Sequence, residues 1–98
     1  MGELNNKNYI EGVKLTNLKQ IVDKRGAVFH IMRNDSDSFS KFGEAYISKV
    51  NGGITKGWKF HYKMIQNFTV IFGKMKIVLF DNRTESKTKG FINEFILD

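Results

Sequence analysis

From residue 12 onward apolar and polar positions alternate in short runs, and glycine or Asn/Asp-rich punctuation separates the runs. A period near two is the mark of half-buried strands, whereas a helix would repeat at 3.6. VKLTNLKQIV (13–22) alternates imperfectly, and DKRG (23–26) supplies turn residues. In AVFHIMR (27–33), Val28, His30 and Met32 fall on one face and Ala27, Phe29 and Ile31 on the other. NDSDS (34–38) is a loop by composition, FGEAYISKV (42–50) reads as a strand, and NGG (51–53) is the strongest turn signal in the chain. TKGWKFHYK leads, extended, into QNFTVIFG, and Gly73-Lys74 makes a tight connection to MKIVLFD. After the charged loop 82–90 comes a last strand, FINEFIL (91–97). Strands recurring every ~10–12 residues predict a sandwich or barrel. NLKQIVDK is too short to carry a helical period, and no fixed-period repeat is present. The expected organisation is a polar leader over 1–11 and one β-domain over 12–98. A sheet whose last strand is FINEFIL is expected to be completed by strand exchange or by dimerisation.

Composition narrows the chemistry. Nine Phe suit a core in which rings pack across strands. The absence of cysteine removes a disulfide frame, a thiolate zinc site and a catalytic thiol. The leader carries no apolar stretch of the secretory type, and no apolar run reaches the length of a membrane span. The expected location is the cytoplasm, with no membrane partner. Sixteen basic against ten acidic side chains give a charge of +6, which invites an anionic partner. The basic residues are scattered, so compositional bias explains the charge equally well.

Several chemistries fall away on residue types and spacing. His30 and His61 are far apart and form no His-x-His pair, so a metal centre is not expected. No cofactor is expected either. VNGGITKG lacks the Gly-Lys-Ser/Thr ending of a phosphate loop. A glycosidase-type carboxylate pair would have to draw on Glu44, Asp81, Glu85 or Glu94. Glu44 stands out because it interrupts the otherwise apolar FGEAYIS. In GWKFHYK, an extended backbone puts Trp58, Phe60 and Tyr62 on one face and Lys59, His61 and Lys63 on the other. Two readings of the Lys-His-Lys face remain open. It lines a polar cavity for an anionic ligand, with His61 as a base, or it faces solvent on an outer strand. The aromatic face is expected to line the core.

The order of landmarks then carries a resemblance. They are Asp23, Arg25 and Gly26 in one turn, then Lys56, Gly57 and His61, then Gly73, then Asp81, Arg83, Ser86, Thr88 and Gly90. Taken together over residues 12–97, they resemble the dTDP-4-dehydrorhamnose 3,5-epimerase family of sugar-nucleotide epimerases. The resemblance implies a cupin-like jelly-roll β-sandwich, only partly contained in 12–98. It also implies a reaction on a dTDP-4-keto-6-deoxy sugar in the synthesis of surface polysaccharide. In that chemistry a histidine removes the proton next to the keto group, a cation meets the enolate oxygen, and a tyrosine returns a proton on the other face.

Mapped onto this chain, the resemblance makes His61 the general base and Arg25 a contact to the nucleotide diphosphate. The family's lysine position falls at Gln66 or Asn67, so Lys63 or Lys59 would take the enolate. Lys59, Gln66 and Glu44 would join Arg25 in substrate binding. Two residues are inserted between Gly57 and His61 relative to the family's Arg-Gly-x-His. The tyrosine acid and the carboxylate that orients the histidine would come from a later part of the barrel. The implied partners are a nucleoside-diphosphate sugar and a second copy of the chain, in a homodimer with exchanged strands. A non-catalytic module that binds a sugar nucleotide or another anion is the alternative. A nucleic-acid-binding barrel is disfavoured, because it would need Trp58, Phe60 and Tyr62 exposed.

Overall fold

The computed structural model describes residues 8–98. It contains four strands: β1 (Lys19–Asp23), β2 (Gly26–His30), β3 (Met75–Phe80) and β4 (Ile92–Leu97). The all-β class read from the alternation is what forms, with no α-helix among the described residues. The strands make two separate two-stranded antiparallel sheets, β1 with β2 and β3 with β4. The chain divides into two compact units, one of residues up to Ile31 together with Thr69–Asp98, the other Met32–Phe68.

In the first unit, Lys24 and Arg25 connect β1 to β2, with Asp23 opposite Gly26 and Lys19 opposite His30. The DKRG signal therefore marks the hairpin correctly. Gly26 sits at φ 146°, a value that a side chain rarely adopts. Both faces of this hairpin are exposed, Val28 and Phe29 included.

The second hairpin is better supported. Met75, Ile77 and Leu79 pair with Leu97, Phe95 and Asn93, and this face is half-buried. Tyr9 packs edge-on against Phe95 with ring centroids 5.2 Å apart, and Ile10 is the buried apolar residue of the unit. The opposite face carries Lys76, Val78 and Phe80 across from Ile96, Glu94 and Ile92, and it is exposed. Lys76 and Glu94 form a cross-strand ion pair of 2.9 Å on that face. The described end of the polar leader, residues 8–11, is thus an ordered part of this unit.

The structure differs from the alternation in three places. Residues 13–18 are not part of β1, and neither 42–50 nor 58–72 forms a strand. The reason is the non-local nature of a ladder. Alternation makes a segment fit for a sheet, but its N–H and C=O groups become a strand only against a partner. In the Met32–Phe68 unit the backbone hydrogen bonds between described residues close turns instead. Ser36 N–H donates to the Arg33 carbonyl, Phe39 N–H to that of Ser36, and Ile54 N–H to that of Asn51 at 3.1 Å. The last is the NGG turn, with Gly53 at φ 77°. Its two arms are tied by Lys56, whose Nζ donates to Ser48 Oγ at 3.3 Å.

Candidate functional site

His61, Lys59, Lys63, Gln66 and Glu44 all lie in the Met32–Phe68 unit, and each is exposed. The expected face of alternating side chains exists only in part. Phe60 and Tyr62 do come together, edge to face, with centroids 4.8 Å apart. They do not line a core, for Trp58 is 73% and Tyr62 90% exposed. That corrects the interior placement inferred from alternation, and with it the ground for disfavouring a nucleic-acid-binding barrel: with no strand at 58–63, the pleat that would turn these rings inward is missing. Lys59, His61 and Lys63 are open to solvent.

Arg25 belongs to the other unit, at the tip of the β1–β2 hairpin. Asp23 shapes this tip. Its Oδ1 accepts the Arg25 backbone N–H at 2.8 Å, and its Oδ2 accepts the guanidinium at 2.7 Å. The Arg25 side-chain and backbone donors hold the Asp23 carboxyl below its ordinary pKa. An open depression of about 270 Å³ lies against the hairpin, lined by Ile21, Asp23, Arg25 and Val28 among others. The pair is exposed to solvent, which screens it.

The most highly organised polar cluster is built from the last group of landmarks, Asp81, Arg83, Ser86 and Thr88, in a stretch that composition alone reads as a charged loop. Asp81 follows β3, and its side chain is fully buried. Oδ1 accepts the Arg83 backbone N–H at 3.1 Å and Arg83 Nε at 2.9 Å. Oδ2 accepts the hydroxyls of Ser86 and Thr88, both at 2.6 Å, and Arg83 Nη2 at 3.0 Å. Each hydroxyl donates its one proton to Asp81, so each hydroxyl oxygen is left to accept. Ser86 Oγ takes the Thr88 backbone N–H at 3.1 Å, and Thr88 Oγ1 takes that of Glu11 at 2.9 Å. These donors, led by Arg83, hold the Asp81 carboxyl far below the ordinary carboxylate range despite its burial. Asp81 is therefore an acceptor that builds the loop, and all of its bonds close within it. Backbone bonds finish the turn, Asp81 N–H to the Phe91 carbonyl and Gly90 N–H to that of Asp81, with Gly90 at φ 88°.

Two participants carry little mark in the sequence. Glu11 accepts Arg83 Nη2 on its carbonyl at 2.8 Å and the Lys87 N–H on its carboxylate at 3.1 Å. Asn93 accepts the Ile10 N–H at 2.7 Å and donates to the Asn8 carbonyl at 3.0 Å. The only local hint is a polar Asn in the otherwise apolar inward-facing row of β4, beside Phe95 and Leu97. Among the described residues no three His, Cys, Asp or Glu converge as metal ligands would. No helix of the described residues is long and apolar enough to cross a membrane.

No protein-family model matches the chain, and no solved structure does. Two relatives do. The chain is similar to the spore coat polysaccharide biosynthesis protein SpsL of Bacillus subtilis, with 36% identity over 81 residues covering 83% of this chain and 54% of the relative. It is also similar to a probable low-salt glycan biosynthesis epimerase of Haloferax volcanii, with 27% identity over 90 residues covering 90% of this chain and 58% of the relative. The chain thus spans about half the length of the relatives it matches.

Proposed function

We propose that this chain is the base-bearing part of a sugar-nucleotide epimerase of surface-polysaccharide synthesis, working in the cytoplasm on a dTDP-4-keto-6-deoxy sugar. The observation that carries the reading is its similarity, over more than four-fifths of its length, to two proteins named for polysaccharide and glycan biosynthesis, one of them an epimerase. The cupin-like jelly roll is part of the same proposal. In the proposed mechanism His61 removes the proton from the carbon next to the keto group. Lys63 or Lys59 meets the charge that builds on the enolate oxygen, without which that proton is too weakly acidic to leave. Arg25 binds the diphosphate in exchange for its bond to Asp23, and Gln66, Lys59 and Glu44 contact the sugar.

Among the described residues no carboxylate is bonded to His61 to fix its tautomer, which favours a second reading. In that reading the chain binds the sugar nucleotide or another anion without turning it over. One experiment decides between them. The dTDP-4-keto-6-deoxy sugar is incubated with the protein in D₂O, and NMR follows loss of the proton signals at C3 and C5. Exchange that vanishes in His61→Asn supports the epimerase. Binding of dTDP with no exchange supports the module, and neither binding nor exchange overturns both.

A further inference from the structure

We propose that Asn51 is a modification site, at which the side-chain amide is lost without an enzyme and the backbone rearranges. Asn51 begins the sole Asn-Gly step of the sequence, and no Asp-Gly step occurs. An asparagine side chain is attacked by the next backbone nitrogen when that nitrogen is uncrowded and free of a hydrogen bond. Gly52 meets both conditions. Residues 51–53 are exposed, and a Cβ at Gly52 would meet nothing within 4 Å. The turn is closed by the Ile54 N–H on the Asn51 carbonyl at 3.1 Å, with Gly53 at φ 77° in its third position. The Gly52 N–H takes no part in that bond and, among the described residues, donates no other. Asn82 and Asn93 are held differently. The nitrogen that would attack Asn82 is that of Arg83, whose N–H is bound to Asp81 Oδ1 at 3.1 Å. Asn93 lies in β4, with its amide clamped between the Ile10 N–H at 2.7 Å and the Asn8 carbonyl at 3.0 Å.

The step balances with water alone. Hydroxide takes the proton of the Gly52 amide, and the nitrogen attacks Cγ of Asn51. The new N–Cγ bond closes a succinimide ring. The Cγ–Nδ2 bond breaks, and Nδ2 leaves as ammonia with a proton from water. Water then opens the ring at either of its carbonyls. Opening at Cγ leaves an aspartate in the ordinary linkage. Opening at the main-chain carbonyl leaves an isoaspartate, in which the chain runs through Cβ and Cγ. The carbonyl that accepts the Ile54 N–H then becomes a free carboxylate, so this product undoes the turn. Both products replace a neutral amide by an anion on a turn flanked in sequence by Lys49 and Lys56. The inference does not rest on the epimerase reading.

Incubation of the folded chain in mildly alkaline buffer, followed by tryptic peptide mapping with mass spectrometry, tests it. Cleavage after Lys49 and Lys56 isolates residues 50–56. The expected result is conversion of that peptide into two isomeric products carrying a hydroxyl in place of the amide nitrogen. One of them is methylated by an isoaspartyl methyltransferase, and ammonia appears in step. The rate should rise with pH, since the Gly52 amide must lose its proton. Gly52→Ala should fold, because its Cβ has open space and Gly52 is not at positive φ. By crowding and restricting the attacking nitrogen it should slow the conversion about tenfold. Asn82 and Asn93 should stay intact in the folded chain and react in urea. If Gly52→Ala fails to fold, the comparison of Asn51 with Asn82 and Asn93 in the wild-type chain still decides. An unchanged 50–56 peptide would overturn the inference. So would an equal rate in folded Gly52→Ala, or conversion of Asn51 no faster than that of Asn82 and Asn93.

Discussion

Arg83 joins two parts of the chain that lie 72 positions apart: its Nη2 donates to the Glu11 carbonyl at 2.8 Å while its Nε holds Asp81 at 2.9 Å. A single guanidinium thus ties the described N-terminal segment to the loop between β3 and β4. The fixed fork of donors makes this feasible, and a lysine could not satisfy both acceptors in the same geometry.

Asp81→Ala removes the acceptor of three side chains at once and leaves their donors in a partly buried loop. The expected loss of stability is ~3 kcal/mol, read from urea unfolding. Ser86→Ala removes one of those donors and is expected to cost ~1 kcal/mol. If Asp81→Ala unfolds at the same urea concentration as wild type, the cluster contributes nothing to folding.

The same carboxylate sets an acid limit. Its pKa in the folded protein is depressed below the ordinary 3.8, so it stabilises the fold fully at pH values above that ordinary pKa. The stabilisation is lost as pH falls further towards the depressed value. Asp23, lowered by Arg25, acts in the same direction. Stability from Asp81 should be flat near neutrality and decline below about pH 4. Asp81→Asn should flatten the decline, which pH-dependent thermal melts would show.

His61 is exposed, so His61→Asn should leave stability within about 0.5 kcal/mol of wild type. On the proposed mechanism it should slow solvent exchange into the keto sugar by about 100-fold or more. A destabilisation of several kcal/mol would instead make His61 a packing residue.

Arg25→Ala breaks an exposed, solvent-screened pair with Asp23 and should leave the urea unfolding midpoint close to that of wild type. Titration calorimetry with dTDP should show weaker binding, by a factor of ~10 for the loss of a charge-assisted contact. Unchanged affinity would remove Arg25 from the site.

Asn93→Leu replaces the amide that bonds Ile10 N–H and the Asn8 carbonyl. The change suits the apolar inward row of β4 by pattern, yet it should free Asn8 and Ile10 and speed amide exchange at Ile10 by an order of magnitude or more. Unaltered protection would show that the bonds of Glu11 and the packing of Tyr9 against Phe95 suffice to hold the segment.

What is local in this fold is legible in the amino-acid sequence. Asp23 to Gly26 close a hairpin because a side-chain carboxylate two residues before a backbone N–H, with glycine following, favours that turn in any context. Asn51 to Gly53 turn because glycine takes the positive φ at position 53 without strain, and alternation alone is enough to exclude helices and to place β3 and β4. The rest depends on contacts between residues remote in the chain. Residues 42–50 and 58–72 carry the pattern of strands but lack a ladder, since a strand needs a partner that its own residues cannot supply. In the sequence Asp81 is a landmark at the end of MKIVLFD, with nothing in the pattern to say that its carboxylate is buried. Five donors and the approach of Glu11 make it a buried anion, and only the folded chain brings them there.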